Sequence, residues 1–78
     1  METTLDESPV GREATIKTIS TEPMGVRLIE LGMTPGMEVK VLFKAPGGCP
    51  LAVEVGEDYV LGMRKEEAAF VTVYSTKH

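Results

Sequence analysis

Closely spaced turn signals constrain the fold of this chain more than any other feature of its sequence. Thr34-Pro35-Gly36 is typical of a type II turn, because proline presets the first central position and glycine accepts the positive φ of the second. Two further turn signals, Pro46-Gly47-Gly48 and Gly56-Glu57-Asp58, follow at intervals of about ten residues. This spacing leaves room for short strands and little room for long helices.

Residues of alternating polarity fill most of the segments between these turns. Ala14 and Ile16 share one face of the first segment, opposite Thr15 and Lys17, which is the period of two expected for a half-buried strand. Ile19 breaks that alternation and indicates either a bulge or the end of the strand. The alternation predicts five strands, at residues 10–19, 38–44, 51–55, 59–63 and 70–74.

Residues 21–31 show a different period, which is that of an α-helix. Met24, Leu28 and Leu31 are spaced at i, i+4 and i+7 and form one stripe, so we expect all three to face the core. Pro23 is tolerated only in the first turn of a helix, and either of the two hydroxyl residues before Glu22 can cap that turn.

Gly32 marks the predicted end of this helix. A glycine at this position can adopt the left-handed conformation that follows the last helical residue. Met33 would then contact Leu28, which is the apolar contact of a Schellman motif. We therefore expect the helix to stop sharply before the Thr34-Pro35-Gly36 turn.

These elements together predict a mainly β fold. The expected architecture is a small five-stranded barrel, with one short α-helix between the first two strands and a helical turn at residues 64–69 before the last strand. Closure into a barrel would remove the edges that an isolated sheet exposes. We expect a flexible acidic lead-in at residues 1–9, one domain at residues 10–75 and a tail at residues 76–78.

Composition narrows the classes of partner. A net charge of −4 argues against nucleic acid, whose binding needs a basic face. No apolar run approaches the roughly 20 residues that cross a bilayer, and no signal peptide is recognisable at the start of the chain, so we expect a cytoplasmic protein without direct membrane insertion. Cys49 is the only cysteine, which excludes an internal disulfide and suits a reducing compartment.

Residues suited to catalysis or metal binding are sparse. His78 is the only histidine, and no histidine lies near Cys49 to act as its base. Glu66 and Glu67 are adjacent on a helical turn, where their side chains diverge, and we interpret them as solvated charges. Ferrous iron and zinc prefer clustered ligands, and the five methionines are better explained by packing. The sequence predicts no catalytic residue, no cofactor and no metal site.

Three blocks of sequence stand out as a set: residues 27–36 (RLIELGMTPG), residues 44–48 (KAPGG) and residues 61–68 (LGMRKEEA). Together they resemble the FeoA family, in its order and spacing, and the resemblance spans roughly residues 10–74. It implies an SH3-like barrel that accompanies FeoB, the membrane-embedded ferrous-iron transporter with a cytoplasmic GTP-binding domain.

On this resemblance we expect a non-enzymatic accessory protein that binds and regulates FeoB and reaches the inner membrane only through it. The alternative that stays open is a transition-metal-binding module for sensing or delivery in iron homeostasis. The number of metal ligands distinguishes the two hypotheses.

The helical wheel suggests where such a partner would bind. Val26 points nearly opposite the predicted core stripe, and Ile29 lies at its flank, close to Met33 at the helix stop. Leu42 falls on the outward face of its strand, opposite the face that includes Phe43. We predict that Val26, Ile29, Met33 and Leu42 supply apolar anchors for the partner.

Overall fold

The structure is a computed structural model that describes residues 2–20 and 28–75. Within these ranges, the strands are β1 (Glu2–Thr4), β2 (Glu13–Ile19), β3 (Glu38–Lys44), β4 (Leu51–Val55), β5 (Tyr59–Met63) and β6 (Val71–Ser75). Short 3-10 helices occur at Leu5–Glu7 and Pro46–Gly48, and a four-residue α-helix, α1, occupies Lys65–Ala68.

Residues 28–30 are also helical, in agreement with a helix between the first two predicted strands. The predicted start of that helix, including Pro23, Met24 and Val26, lies outside the described residues. The predicted tail at residues 76–78 lies outside them as well.

The strands form one antiparallel sheet in the order β1-β6-β2-β3-β4-β5. Apolar side chains from five of these strands meet in a single core cluster, so the sheet must curl around that core. The molecule's extents of 29, 26 and 23 Å are correspondingly similar. The predicted mainly β class is confirmed, with six strands in place of the predicted five.

The core cluster combines strand residues with side chains from the helical segments. Its members are buried apolar residues: Leu5, Ala14, Ile16, Ile19, Leu28, Met33, Val39, Val41, Leu51, Val53, Val55, Met63, Ala68, Val71 and Val73. Most are β-branched or aliphatic residues on the inward positions of alternating strands, which is why the period of two located four of the strands closely.

The N-terminal segment differs most from its prediction. Strand β1 pairs with β6, and Leu5 immediately after it is fully buried. The Nζ of Lys44 donates a hydrogen bond to the carbonyl oxygen of Asp6 at 3.0 Å. The expectation of a flexible lead-in at residues 1–9 is therefore wrong for the described residues, because one apolar anchor is enough to dock an otherwise polar segment.

A shift in register explains why Ile19 breaks the alternation in β2. Ala14 and Ile16 are buried, and the pairing with β6 shifts between Ile16 and Thr18. This bulge returns Ile19 to the core. Both alternatives indicated by the sequence hold, since the bulge precedes Ile19 and the strand ends there.

A second shift in register overturns one assignment in β3. The antiparallel β3–β4 hairpin forms as predicted, but its register shifts between Val41 and Phe43. Phe43 is consequently 56% exposed. Its placement on the core face beside Val41 was wrong, because a bulge changes which side chains point inward.

The short helix α1 confirms the predicted helical turn before the last strand. Its Glu67 is buried, and the Oε1 atom accepts a hydrogen bond from the backbone N–H of Arg64 at 2.9 Å. This contact caps the first turn of α1. The interpretation of solvated charges is therefore wrong for Glu67 and agrees with the exposed position of Glu66.

Candidate functional site

The end of the helix at residues 28–30 has the geometry of a Schellman motif. Met33 N–H donates to the Leu28 carbonyl oxygen at 3.1 Å, and Gly32 N–H donates to the Ile29 carbonyl oxygen at 3.0 Å. Gly32 has a φ of 101°, a conformation that favours glycine. The predicted helix stop is confirmed, and it fixes the directions of the side chains around it.

Tyr59, the first residue of β5, lies against this stop. Its hydroxyl donates a hydrogen bond to the carbonyl oxygen of Leu31. A Cβ atom added to Gly32 would lie 2.7 Å from the Tyr59 hydroxyl oxygen. A glycine is therefore favoured at position 32 for two reasons: it adopts the positive φ without strain, and it leaves room for the Tyr59 hydroxyl.

Three apolar side chains are exposed where the helix meets β5. Ile29, Leu31 and Tyr59 are each between 37% and 39% exposed. We call these three residues the helix-stop surface. Partly exposed apolar side chains on a rigid support suit a binding role, because burying them in a partner gains about 25 cal/mol per Å² without first ordering a loop.

The helix-stop surface contains only one of the four predicted partner-binding residues. Ile29 is exposed, as the helical wheel indicated. Met33 is fully buried, so its assignment to an exposed surface was wrong. The same motif that ends the helix turns Met33 back onto the core. Leu31, expected in the core, is exposed instead, and Val26 lies outside the described residues.

Leu42 belongs to a different part of the surface. It is exposed as predicted, and its neighbour Phe43 is exposed too, opposite Ala52 of β4. Ala52 in turn pairs with Gly62, which lies three residues beyond Tyr59 along β5. At about 3.3 Å per residue, roughly 10 Å of strand separates this row from the helix stop. No pattern in the sequence indicated that Tyr59, and not Leu42, belongs to the same surface as Ile29.

Charged side chains occupy a depression on the outer face of the sheet. Lys40 pairs with Glu13 on one side and Glu54 on the other, and Glu38 and Glu57 line the same depression. Within residues 2–20 and 28–75, no three His, Cys, Asp or Glu side chains are grouped so that they could hold a metal ion. The carboxylates of this depression are spread across the sheet and do not converge.

Neither Cys49 nor the described helices add a further kind of site. Cys49 is a free, exposed thiol in the loop between β3 and β4. None of the helices in the described part of the chain is long and apolar enough to span a bilayer.

Several solved structures are similar to this chain in both fold and sequence. The chain is similar to the FeoA protein of Chlorobium tepidum, with 34% identity and a TM-score of 0.84 over 96% of this chain and 71% of that one. It is also similar to a FeoA-like protein of Clostridium acetobutylicum, with 26% identity and a TM-score of 0.89 over 99% of this chain and 90% of that one.

A third structure is FeoA of Stenotrophomonas maltophilia, complexed with zinc and described as a prokaryotic SH3 domain protein. It shares 34% identity with this chain, with a TM-score of 0.78 over 91% of this chain and 88% of that one. This likeness confirms the predicted SH3-like fold. That protein is further described as a candidate bacterial ferrous iron transport activating factor.

Sequence comparison gives the family. Among curated proteins, no sequence matches this chain significantly. A family model described as the FeoA domain matches residues 3–75. The match includes two of the three residues of β1, which lies before the segment that resembled the family in sequence. With nearly the whole chain matched, this protein belongs to the FeoA domain family.

Proposed function

We propose that this chain is a non-enzymatic accessory protein of bacterial ferrous-iron uptake that binds and regulates the FeoB transporter from the cytoplasmic side. The observation that carries the proposal is the FeoA domain match, which extends over residues 3–75. The description of the 34% identical Stenotrophomonas protein as a candidate transport activating factor points the same way.

We place FeoB binding at the helix-stop surface. Its three residues are apolar, partly exposed and held by the Schellman motif and the Tyr59 hydrogen bond. A few apolar anchors on a rigid base supply most of the binding energy at many interfaces. Of the residues chosen from the sequence, Ile29 is retained for this role, and Leu42 stands apart with Phe43.

Co-purification with tagged FeoB tests this proposal. Ile29→Glu should lower the affinity for FeoB at least about thirtyfold, because the substitution places an unpaired charge in a desolvated contact. Val10→Glu is the matched control, since Val10 is also exposed and lies before β2. Val26→Asp should act like Ile29→Glu if Val26 faces away from the core, as the helical wheel predicts.

The proposal requires that Ile29→Glu and Val10→Glu differ in their affinity for FeoB. Both should keep the circular dichroism spectrum of the unsubstituted protein. If folded Ile29→Glu brings down FeoB as well as Val10→Glu does, the docking surface lies elsewhere. If the unsubstituted protein neither co-purifies with FeoB nor changes FeoB GTP hydrolysis or iron uptake, the proposed function is wrong.

A metal-sensing or metal-delivering module is the second candidate, and the zinc complex of the Stenotrophomonas protein favours it. Anaerobic calorimetry with Fe²⁺ and Zn²⁺ distinguishes the two candidates. The accessory role predicts binding no tighter than that of a generic acidic surface. A stoichiometric isotherm of sub-micromolar affinity, lost in Cys49→Ser, would establish a metal site instead.

A further inference from the structure

Strand β5 is an edge of the sheet that lacks the usual protection. Among the described residues it pairs only with β4, in unbroken register from Val55 opposite Tyr59 to Leu51 opposite Met63. Its sequence, YVLGM, contains no charge and no proline. Natural sheet edges are normally blunted by charges, prolines, bulges or short length, because unpaired backbone groups invite another strand.

Opposite charges bracket this edge. Glu57 and Asp58 precede β5 in the chain, and Arg64 and Lys65 follow it, and all four are exposed. A strand with an acidic start and a basic end is complementary to a second copy of itself laid antiparallel. A parallel copy would instead place the acidic residues of the two strands side by side, and likewise the basic residues, which is unfavourable.

We propose that β5 docks a second copy of this chain, strand to strand and antiparallel, about a two-fold axis at Leu61. This register overlaps all five residues of β5 and keeps inward-facing positions together across the pair. It places Asp58 opposite Arg64 of the second copy. Glu57, in the turn before β5, then lies at the same end of the pair as Lys65 of the second copy. The backbone contributes about four to six hydrogen bonds across the axis.

The same register also fits the outer face of β5. Val60, which is 56% exposed, lies opposite Gly62 of the second copy. A Cβ added at Gly62 meets nothing within 4 Å in the described structure, so the space above this glycine is open. The isopropyl group of Val60 covers that space, and the two-fold axis repeats the contact.

The expected contact is small. A pairing of five-residue edges buries less than the roughly 1,200 Å² of a standard interface, which is the range of weak and transient contacts, and we expect a dissociation constant of about 0.1–1 mM. Such an interaction forms at high local concentration, for example where several copies gather on one assembly.

Sedimentation and amide NMR of the full chain test the dimer directly. Between about 20 μM and 2 mM, the mean mass should rise toward twice the monomer, and concentration-dependent shifts should concentrate in β5. Amides of β1, at the other edge, should not shift. A protein that stays monomeric throughout this range, or whose shifts lie outside β5 and its flanking charges, overturns the proposal.

Two variants test the edge itself. Val60→Lys adds a gatekeeper charge to the docking edge and should weaken association at least about tenfold. Val10→Lys is the matched control, because Val10 is 53% exposed and lies away from β5. Equal association constants for folded Val60→Lys and Val10→Lys would overturn the proposal.

A charge swap tests the register. Asp58→Arg should weaken association about three- to tenfold, because it faces Arg64 of the second copy twice across the axis. The double variant Asp58→Arg with Arg64→Asp should recover the association of the unsubstituted chain. Failure to recover would overturn the register. High salt should weaken the unsubstituted dimer, because it screens these ion pairs.

FeoB binding provides a second readout, because Ile29 lies outside β5 and Val60 lies outside the helix-stop surface. Ile29→Glu should lose FeoB and still dimerise, whereas Val60→Lys should lose dimerisation and still bind FeoB. If Val60→Lys loses FeoB while the unsubstituted chain never dimerises, the edge receives a strand of the partner and the dimer proposal is wrong.

Discussion

The two edge strands of the sheet, β1 and β5, differ in how far their unpaired backbone groups are protected from pairing with another strand. Strand β1 is only three residues long, carries the charged Glu2, and contacts β2 through an ion pair between Glu2 and Lys17. It is followed at once by the buried Leu5. Strand β5 is five residues long and uncharged, and among the described residues no strand pairs with its outer side.

These two edges show that the polarity of a segment does not decide whether the segment is ordered. The polar segment that contains β1 is anchored, because Leu5 and the Lys44 contact hold it in place. The apolar β5 is well formed, yet among the described residues its outer edge has no strand partner. Four stability measurements test what anchors each edge.

The largest effect is expected from Leu5→Ala. Leu5 is fully buried in the core cluster, so its truncation should lower the free energy of unfolding by about 2–5 kcal/mol. Urea denaturation followed by circular dichroism measures the change. The control is Val10→Ala, a truncation at an exposed position. Equal stabilities for the two variants would mean that β1 is not anchored by Leu5 in solution.

A smaller effect is expected at the helix stop, where Tyr59 anchors the start of β5. Gly32→Val should cost at least about 1–2 kcal/mol, because a β-branched side chain is strained at positive φ and would collide with the Tyr59 hydroxyl. The same chemical denaturation measures it.

A double-mutant cycle separates the two causes. Gly32→Ala should cost less in the Tyr59→Phe background, because the nearest remaining tyrosine ring atom is 3.7 Å from the added Cβ. The part of the cost that remains reports backbone strain alone. An identical cost in both backgrounds would show that the tyrosine does not press on the helix stop.

The smallest effect is expected from the ion pair at the protected edge. Lys17 and Glu2 have side chains about half exposed, so solvent screens their attraction. A cycle of Lys17→Met and Glu2→Gln should give a coupling of about 0.2–0.5 kcal/mol, which decreases in high salt. A coupling above about 1 kcal/mol would mean that this pair, and not Leu5, holds β1 to the sheet.

Local chemistry made several features predictable from the sequence. The stop at Gly32 and the turn at Thr34-Pro35-Gly36 depend on neighbouring residues, and both form as expected: Met37 N–H donates to the Thr34 carbonyl oxygen at 3.0 Å, and Gly36 has a φ of 93°. Alternation located β2 to β6 because most of their inward positions are apolar.

Features that depend on distant partners were not predictable in the same way. Strand β1 was missed because its partner β6 lies at the other end of the described chain, and a polar segment gives no periodic signal. Phe43 was misplaced because its orientation follows from a bulge against β4.

The candidate site shows the same division. The wheel predicted the exposure of Ile29 correctly, but it treated Leu31 as part of a continuing helix. Met33 completes the predicted Schellman motif and is buried in the core, so it is not available as an exposed anchor. Tyr59 joins the helix stop from another strand, and the sequence offers no signal for that contact.

The pairing of β1 with β6 also bears on how the protein folds during synthesis. Glu2 lies opposite Tyr74, so β1 has no partner strand until β6 has been made. Contacts between such distant residues slow folding, because a long loop must close before they form. Until then Leu5 remains without its packing partners, and the nascent chain depends on the β2–β5 segment to stay collapsed. The joining of β1 to β6 should therefore be the last step of folding.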